Sequence, residues 1–193
     1  MRKFFVLLAA LLTGAIFSGC VQVDPESFAE IFQLEKNQKL YTAYNIWYTD
    51  PADISCLNIQ QGTFLPVGTE IEPVRITADE KVIFKAGDKT YTISFNSGIR
   101  LCTVRDFVAY TFTTKNRQEQ FEEIPEKAQH RIVRGEVVPG MDRRQVLLSY
   151  GPPPAIRTPD VKNETWIYWV SSSKTIRLVF RGDIVRRMLD VDL

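Results

Sequence analysis

The chain has very little of what catalytic and metal centres are usually made from. One histidine and three cysteines stand among its 193 residues. No Cys-His or carboxylate-His spacing supplies His130 with partners for ligation or proton transfer, so it reads as a surface or helix-end residue. A glycine-rich phosphate loop, a dinucleotide fingerprint and a clustered set of metal ligands are all missing. The paired carboxylates Glu122 and Glu123 fall in a charged run that reads as a solvated face. These absences predict a protein that is not an enzyme and uses no metal or cofactor. An excess of one charge is missing too: 24 Lys+Arg stand against 23 Asp+Glu. That balance gives no electrostatic reason for nucleic acid or an anionic membrane surface as partner.

Long apolar runs are absent with one exception. Residues 4–17 carry no charge and follow Arg2 and Lys3, the pattern of a secretory leader. The uncharged stretch extends to Val23, long enough to cross a bilayer core of about 30 Å, so an uncleaved anchor is the alternative. Against the anchor, Thr13, Gly14, Ser18, Gly19 and Gln22 crowd its far end, and no basic stop-transfer cluster follows. Phe17-Ser18-Gly19-Cys20 resembles the lipobox of bacterial lipoproteins, with Phe17 where leucine is commoner. The resemblance implies cleavage before Cys20, a diacylglycerol on its sulfur and acylation of the new amine. Two or more acyl chains anchor stably, at roughly 0.8 kcal/mol per buried CH₂. In the resembled family an Asp after the cysteine retains the protein at the inner membrane. Val21 stands there instead, which implies an outer-membrane, periplasm-facing location.

Loss of residues 1–19 removes Arg2 and Lys3 and leaves 22 basic against 23 acidic side chains, a net charge of −1. With Cys20 acylated, Cys56 and Cys102 remain, in an oxidising compartment. Two readings stand for them. One is a disulfide closing a loop of 45 residues, with a loop-entropy contribution of about 4 kcal/mol. The other is two separate buried thiols. Neither cysteine stands in the Cys-Gly or Asp-Cys-Ser-Gly setting, at a helix start, that cell-wall peptidases use.

The mature chain divides into a tether with a short helix (residues 20–38), a β-rich domain (39–114) and an α+β domain (115–193). Asp24-Pro25-Glu26 opens a helical pattern that continues to Lys36, with Phe28, Ile31, Phe32 and Leu34 on one face. Residues 40–48 alternate and are rich in Tyr and Trp, which predicts one strand. Further strands are expected at 70–77, 81–85 and 90–95, the last two joined by a hairpin turn at Ala86-Gly87-Asp88-Lys89. Short strands at close spacing predict a small barrel or sandwich. Leu65-Pro66-Val67-Gly68-Thr69-Glu70-Ile71 looks like the strand start of bacterial SH3-like barrels, modules that often handle cell-wall or peptide ligands. Tyr41, Tyr44, Trp47 and Tyr48 are open to two readings, a ligand groove or plain core, of which core is favoured.

The second domain is organised around residues 139–154, P-G-M-D-R-R-Q-V-L-L-S-Y-G-P-P-P. Asp142 is an N-cap, Gln145 completes a capping box, and Met141 and Val146 stand at hydrophobic-staple positions. Gly151 supplies a left-handed C′ residue, and Pro152 to Pro154 stop the helix. Upstream, residues 116–129 read as one or two solvated helical turns interrupted at Pro125. Downstream, residues 164–170 alternate, with Trp166, Tyr168 and Val170 on one face and Ile167 and Trp169 on the other. Residues 175–180 and 184–189 complete a three-stranded meander, joined by Arg181-Gly182-Asp183 as a turn and not an adhesion motif. Two helices on three antiparallel strands make a two-layer α+β sandwich.

Gly140-Met141, Gln145-Val146, Gly151-Pro152-Pro153, Trp166-Ile167-Tyr168 and Phe180-Arg181-Gly182 fall in an order and spacing that resembles the SmpA/OmlA, BamE-like lipoproteins. The resemblance covers about the last 60 to 75 residues. It implies a non-enzymatic envelope protein that binds other proteins, with the outer-membrane β-barrel assembly machinery as the implied partner class. The family's assembly factors consist almost wholly of this domain, whereas here a short helix and β-rich domain, together about 90 residues, precede it, so fold and role are separate expectations. Arg and aromatic enrichment at binding hot spots points to Arg143, Arg144, Tyr150, Arg157 and Trp169 as interface candidates. For each, the competing reading is a solvated helix face or core. The alternative function is a cell-wall or ligand-binding module in the first domain. Mass spectrometry of the mature protein is expected to find an N-terminal peptide that begins at Cys20 and carries acyl mass. An unmodified Cys20 removes the lipoprotein reading.

Overall fold

A computed structural model describes residues 27–192. The expected leader, the expected acylation at Cys20 and the expected helix start at Asp24 lie outside those residues. The fold is α+β: a curled, half-barrel sheet region, then helices and a small antiparallel sheet.

Helix α1 (Phe28–Phe32) is shorter than expected. Ser27 caps it, with its hydroxyl accepting from the Glu30 N–H and the Glu30 carboxylate accepting from the Ser27 N–H. Gln33 ends it by turning left-handed (φ 49°), so the periodicity that runs on to Lys36 is not helical. The single strand expected over residues 40–48 is two, β1 (Leu40–Thr42) and β2 (Ile46–Tyr48). Between them the chain turns inward to bury Tyr44 and Asn45. Strands β3 (Ile54–Ser55), β4 (Thr63–Leu65), β5 (Glu70–Ile76), β6 (Lys81–Ala86) and β7 (Lys89–Ser94) follow. The β6–β7 hairpin turns where expected, with Ala86 opposite Lys89 and left-handed Gly87 (φ 57°) between them. Pro73 lies in β5 at a register shift, one of the places where a sheet accommodates proline.

Residues 97–113 hold structure with no counterpart in the sequence reading: α2 (Ser97–Arg100), α3 (Val104–Thr111) and β8 (Phe112–Thr113). Valine, threonine and aromatics in V-R-D-F-V-A-Y-T favour strand locally. The capping box of Thr103 and Asp106 commits the segment to helix. The order β3-β7-β6-β5-β1-β8 makes one six-stranded sheet, in which β3 runs parallel to β7 and the other pairs are antiparallel. It has two free-ended edge strands, unlike a closed barrel. Phe84, Phe107, Phe112, Leu40 and Ile93 fill its concave side, with α1 and α3 across it.

The second core lies under α4 (Arg117–Gln120), α5 (Glu126–Ile132) and α6 (Arg143–Tyr150). The charged segment before α5 is less solvated than its composition suggests, because Phe121 and Ile124 are buried in this core. Strands β9 (Thr165–Ser171), β10 (Lys174–Arg181) and β11 (Ile184–Asp192) form an antiparallel sheet in the order β11-β10-β9. Trp166, Tyr168, Leu178 and Phe180 face the helices, with Trp166 and Phe180 ring centroids 4.7 Å apart.

Polar groups tie the two cores together. Asn45 is fully buried: its Nδ2 donates to Ile132 O (2.7 Å), and its Oδ1 accepts from the Val67 N–H (2.8 Å). Asn58 Nδ2 donates to Asn45 O (3.0 Å) and Tyr150 O (2.8 Å). Val67, from the first half of the chain, thereby enters the second core.

Helix α6 begins as expected, with Asp142 Oδ1 accepting from the Gln145 N–H at 2.8 Å and Met141 and Val146 both buried. Its end differs from expectation. Gly151 has φ 73° but ψ −178°, a region essentially reserved for glycine and distinct from the left-handed helical one. A Cβ there would lie 2.6 Å from the Tyr44 ring and 3.1 Å from Asn58 Nδ2. Gly151→Ala combines backbone strain with overlap in a packed junction, so a loss of about 3 kcal/mol or more is expected. Urea unfolding of the variant beside the wild type measures it, and a loss under about 1 kcal/mol would contradict the account of this junction.

Candidate functional site

The five interface candidates separate sharply. Tyr150 is core, stacked edge-on to Tyr168 with centroids 5.4 Å apart. Arg143 is a clamp. Its Nη1 donates to Val161 O (2.6 Å) and Asn163 O (3.0 Å), its Nε pairs with Asp183 at 3.2 Å, and its guanidinium lies 4.3 Å from the Phe180 ring centroid. With the side chain only 18% exposed, it holds residues 161–163 and the β10–β11 turn against α6. Arg144 Nη2 donates to Gln120 O at 3.2 Å, and an exposed pair with Glu123 spans 3.8 Å.

Arg157 and Trp169 are the two that the fold brings together. The guanidinium carbon stands 5.2 Å from the indole centroid, a cation–π arrangement worth about 0.5–1 kcal/mol where exposed. With Leu57, Ile99 and Ile156 they line an open cleft of about 370 Å³. Leu57 and Ile99 come from the first lobe, one from the loop after β3 and one from α2. Ile156, Arg157 and Trp169 come from the second. The buried asparagine junction fixes these walls relative to one another. Ile156 is 53% exposed and Leu101, next to Ile99 and Arg100, is 61% exposed. Among the described residues Arg157 makes no ion pair. The Trp169 indole N–H and Gln60 Oε1 are shielded and have no hydrogen-bond partner. Gln60 N–H donates to Trp169 O at 3.0 Å, which holds the loop before β4 against β9. The lining therefore offers apolar surface and an unneutralised cation on an aromatic face. Those are the groups that hold a short peptide segment.

Behind this wall Arg100 is 3% exposed. Its Nη1 donates to Pro152 O at 3.3 Å, and its guanidinium carbon lies 5.5 Å from the Phe107 and 5.6 Å from the Tyr110 ring centroid. Nε and Nη2 make no hydrogen bond. Burial pushes the Tyr44 hydroxyl and the Cys56 thiol above their ordinary ranges, and the Arg100 charge opposes both shifts. Cys56 and Cys102 are free thiols, the first buried and the second half-buried.

Three other places carry less. A groove of about 740 Å³ beside α4 is lined by Arg117, Glu119 and Glu122 among others, but Arg117 is already occupied with Val67 O at 2.9 Å. The aromatic set Tyr41, Tyr44, Trp47 and Tyr48 does not form one groove, though Trp47 and Tyr48 line a small cleft of about 80 Å³. Tyr44 is core with its hydroxyl on Thr111 Oγ1 (3.0 Å), Trp47 packs on Phe64, and Tyr48 meets Tyr91 edge-on. His130 is exposed on α5, 3.5 Å from Glu126. Among the described residues no group of three or more His, Cys, Asp or Glu side chains could hold a metal ion. No described helix is long and apolar enough to cross a membrane.

Sequence reasoning named Arg157 and Trp169 by residue type and missed Leu57, Ile99 and Ile156. No local signal separates an exposed isoleucine from a buried one when neither lies in a periodic segment. Comparison with protein-family models, with curated proteins and with solved structures gives no match.

The two helix arginines, adjacent and alike in sequence, differ in stability. Arg143→Ala removes charge-assisted bonds to carbonyls and is expected to cost about 2 kcal/mol. Arg144→Ala is expected to stay within about 0.5 kcal/mol. Equal losses in urea titrations would contradict this division.

Proposed function

We propose that this chain is a lipid-anchored, periplasm-facing envelope lipoprotein that binds another protein and performs no chemistry of its own. The observation that carries the reading is the cleft built across both lobes by Leu57, Ile99, Ile156, Arg157 and Trp169. Its free guanidinium and apolar walls favour a partner segment with an apolar side chain beside a carboxylate. The apolar side chain fills the cleft against the Trp169 ring, and the carboxylate meets Arg157. The anchor rests on Phe17-Ser18-Gly19-Cys20, and the outer-membrane location on Val21.

The finer identities belong to this reading. The second lobe is taken as a SmpA/OmlA, BamE-like sandwich, supported by α5 and α6 lying on one face of β11-β10-β9. The first lobe is taken as a relative of SH3-like barrels, supported by its curled sheet. The resemblance makes the barrel-assembly machinery the first partner class to examine.

The test is photo-crosslinking from position 156 in native membranes, followed by identification of the captured protein. Arg157→Glu and Trp169→Ala are each expected to lower capture at least about tenfold, the range of a single hot-spot side chain. Arg157 is exposed and Trp169 half-buried on the outer face of β9, so circular dichroism of each variant is expected to stay that of the folded protein. Capture that persists in both variants overturns the assignment of the cleft.

A further inference from the structure

Strand β11 (Ile184–Asp192) is nine residues long and stands at the edge of its sheet. Its first turn of edge is covered: the Val185 N–H donates to Met141 O (2.9 Å) and Val185 O accepts from the Gly140 N–H (2.8 Å). Beyond that, among the described residues, positions 186–192 bond through the backbone only to β10. Along these seven residues the backbone groups of alternate positions, those that point away from β10, are therefore unpaired.

Proteins usually blunt such edges with charges, proline, a bulge or a covering element. Here the covering stops at Val185, a bulge stands at Arg186 with regular pairing to β10 from Arg187 on, and the seven residues contain no proline. Their charges are not of one sign. They read Arg186-Arg187-Met188-Leu189-Asp190-Val191-Asp192, basic at one end, apolar in the middle and acidic at the other. Like charges would repel a second copy in any register. This pattern instead complements itself when the copy runs antiparallel.

We propose that β11 pairs antiparallel with β11 of a second copy of this chain, centred on Leu189. That register sets Leu189 opposite Leu189, Met188 opposite Asp190, Arg187 opposite Val191 and Arg186 opposite Asp192. Directly opposed residues share a face in antiparallel pairs, so a two-fold axis through Leu189 keeps both helix layers on the same side of a continuous six-stranded sheet. Leu189 is 45% exposed, and its pairing covers an apolar side chain that the monomer leaves in water. Arg186, Arg187 and Asp192 are exposed and make no ion pair among the described residues, so their charge is available to the partner. Asp190 is held by Lys174 at 3.5 Å, which leaves Arg186 and Asp192 as the pair that sets the register. The symmetry supplies that pair twice. The proposal goes beyond the docking cleft and does not depend on it.

The test is disulfide trapping in the full chain, in membranes, with copper–phenanthroline and air as oxidant. L189C is expected to give a covalent dimer on a non-reducing gel, because opposed residues in such a pair lie about 4.5–5.5 Å apart at Cα. V74C, on the exposed side of β5 and 43% exposed in the wild type, is the control and should give none. Adding R186D or D192R to L189C places like charges opposite one another and should lower the trapped fraction at least about tenfold. Combining R186D with D192R restores opposite charges and should recover the dimer, which a folding defect would not do. Equal trapping of V74C and L189C, or a yield indifferent to the charge variants, overturns the proposal.

Discussion

Two buried side-chain amides hold this molecule in one piece. Asn45 and Asn58 connect β2, the loop before β5, the end of α5 and the end of α6, and each lies where water cannot replace a lost partner. An unsatisfied buried amide costs about 1–3 kcal/mol, so each bond constrains the geometry more than its net contribution to stability suggests. The consequences spread outward. The chain breaks between β1 and β2 because Asn45 must point inward. Gly151 must lack a side chain because Tyr44 and Asn58 occupy the space beside it. Val67 enters a core that is otherwise formed by residues more than fifty positions later. The cleft inherits its shape from this junction, since its walls belong to different lobes.

The C-terminal half was largely legible from its residues. Capping box, staple, proline stop, alternating strands and turn glycine lie close together in the chain and agree with one another, so local signals suffice. Sequence placed β9 to β11 within a few residues of their observed bounds, and it set Trp166 and Tyr168 together on one face without showing that this face is the inner one. The N-terminal half was less legible for a physical reason. Its defining contacts are made over long separations, as when Asn45 reaches Ile132, and composition alone does not report them. Helix α3 reads as strand by propensity and is helix by capping and burial. The same limit explains the break in residues 40–48.

The arginines show where reading the site from residue type ends. Arg100, Arg143, Arg144 and Arg157 carry one charge each and meet four different environments. Arg143 is enclosed by carbonyls from a loop some twenty residues downstream and becomes structural. Arg144, half exposed, meets one carbonyl and one exposed carboxylate. Arg100 is buried against two rings and one carbonyl without an anion nearby, so its charge is felt instead by Tyr44 and Cys56. Arg157 alone is positioned on an aromatic face at the rim of an apolar cleft with no counter-ion. Hot-spot composition nominates such residues, and burial with partner geometry decides among them.

The cleft and the free edge lie on opposite sides of the same sheet, which bears on how they would act together. Trp169 is in β9 and the pairing edge is β11, with β10 between them. Pairing at β11 therefore leaves the cleft open. In the sheet order β9-β10-β11-β11-β10-β9 the two β9 strands are five strand spacings apart, about 24 Å at the usual 4.8 Å per spacing. Both clefts would then belong to one unit. A partner that offers two acidic-apolar segments at that separation would bind the second at an effective concentration set by geometry, not by bulk concentration. A partner that offers one segment would gain nothing from the pairing. The spacing between repeats in the partner thus becomes a structural criterion for recognising it.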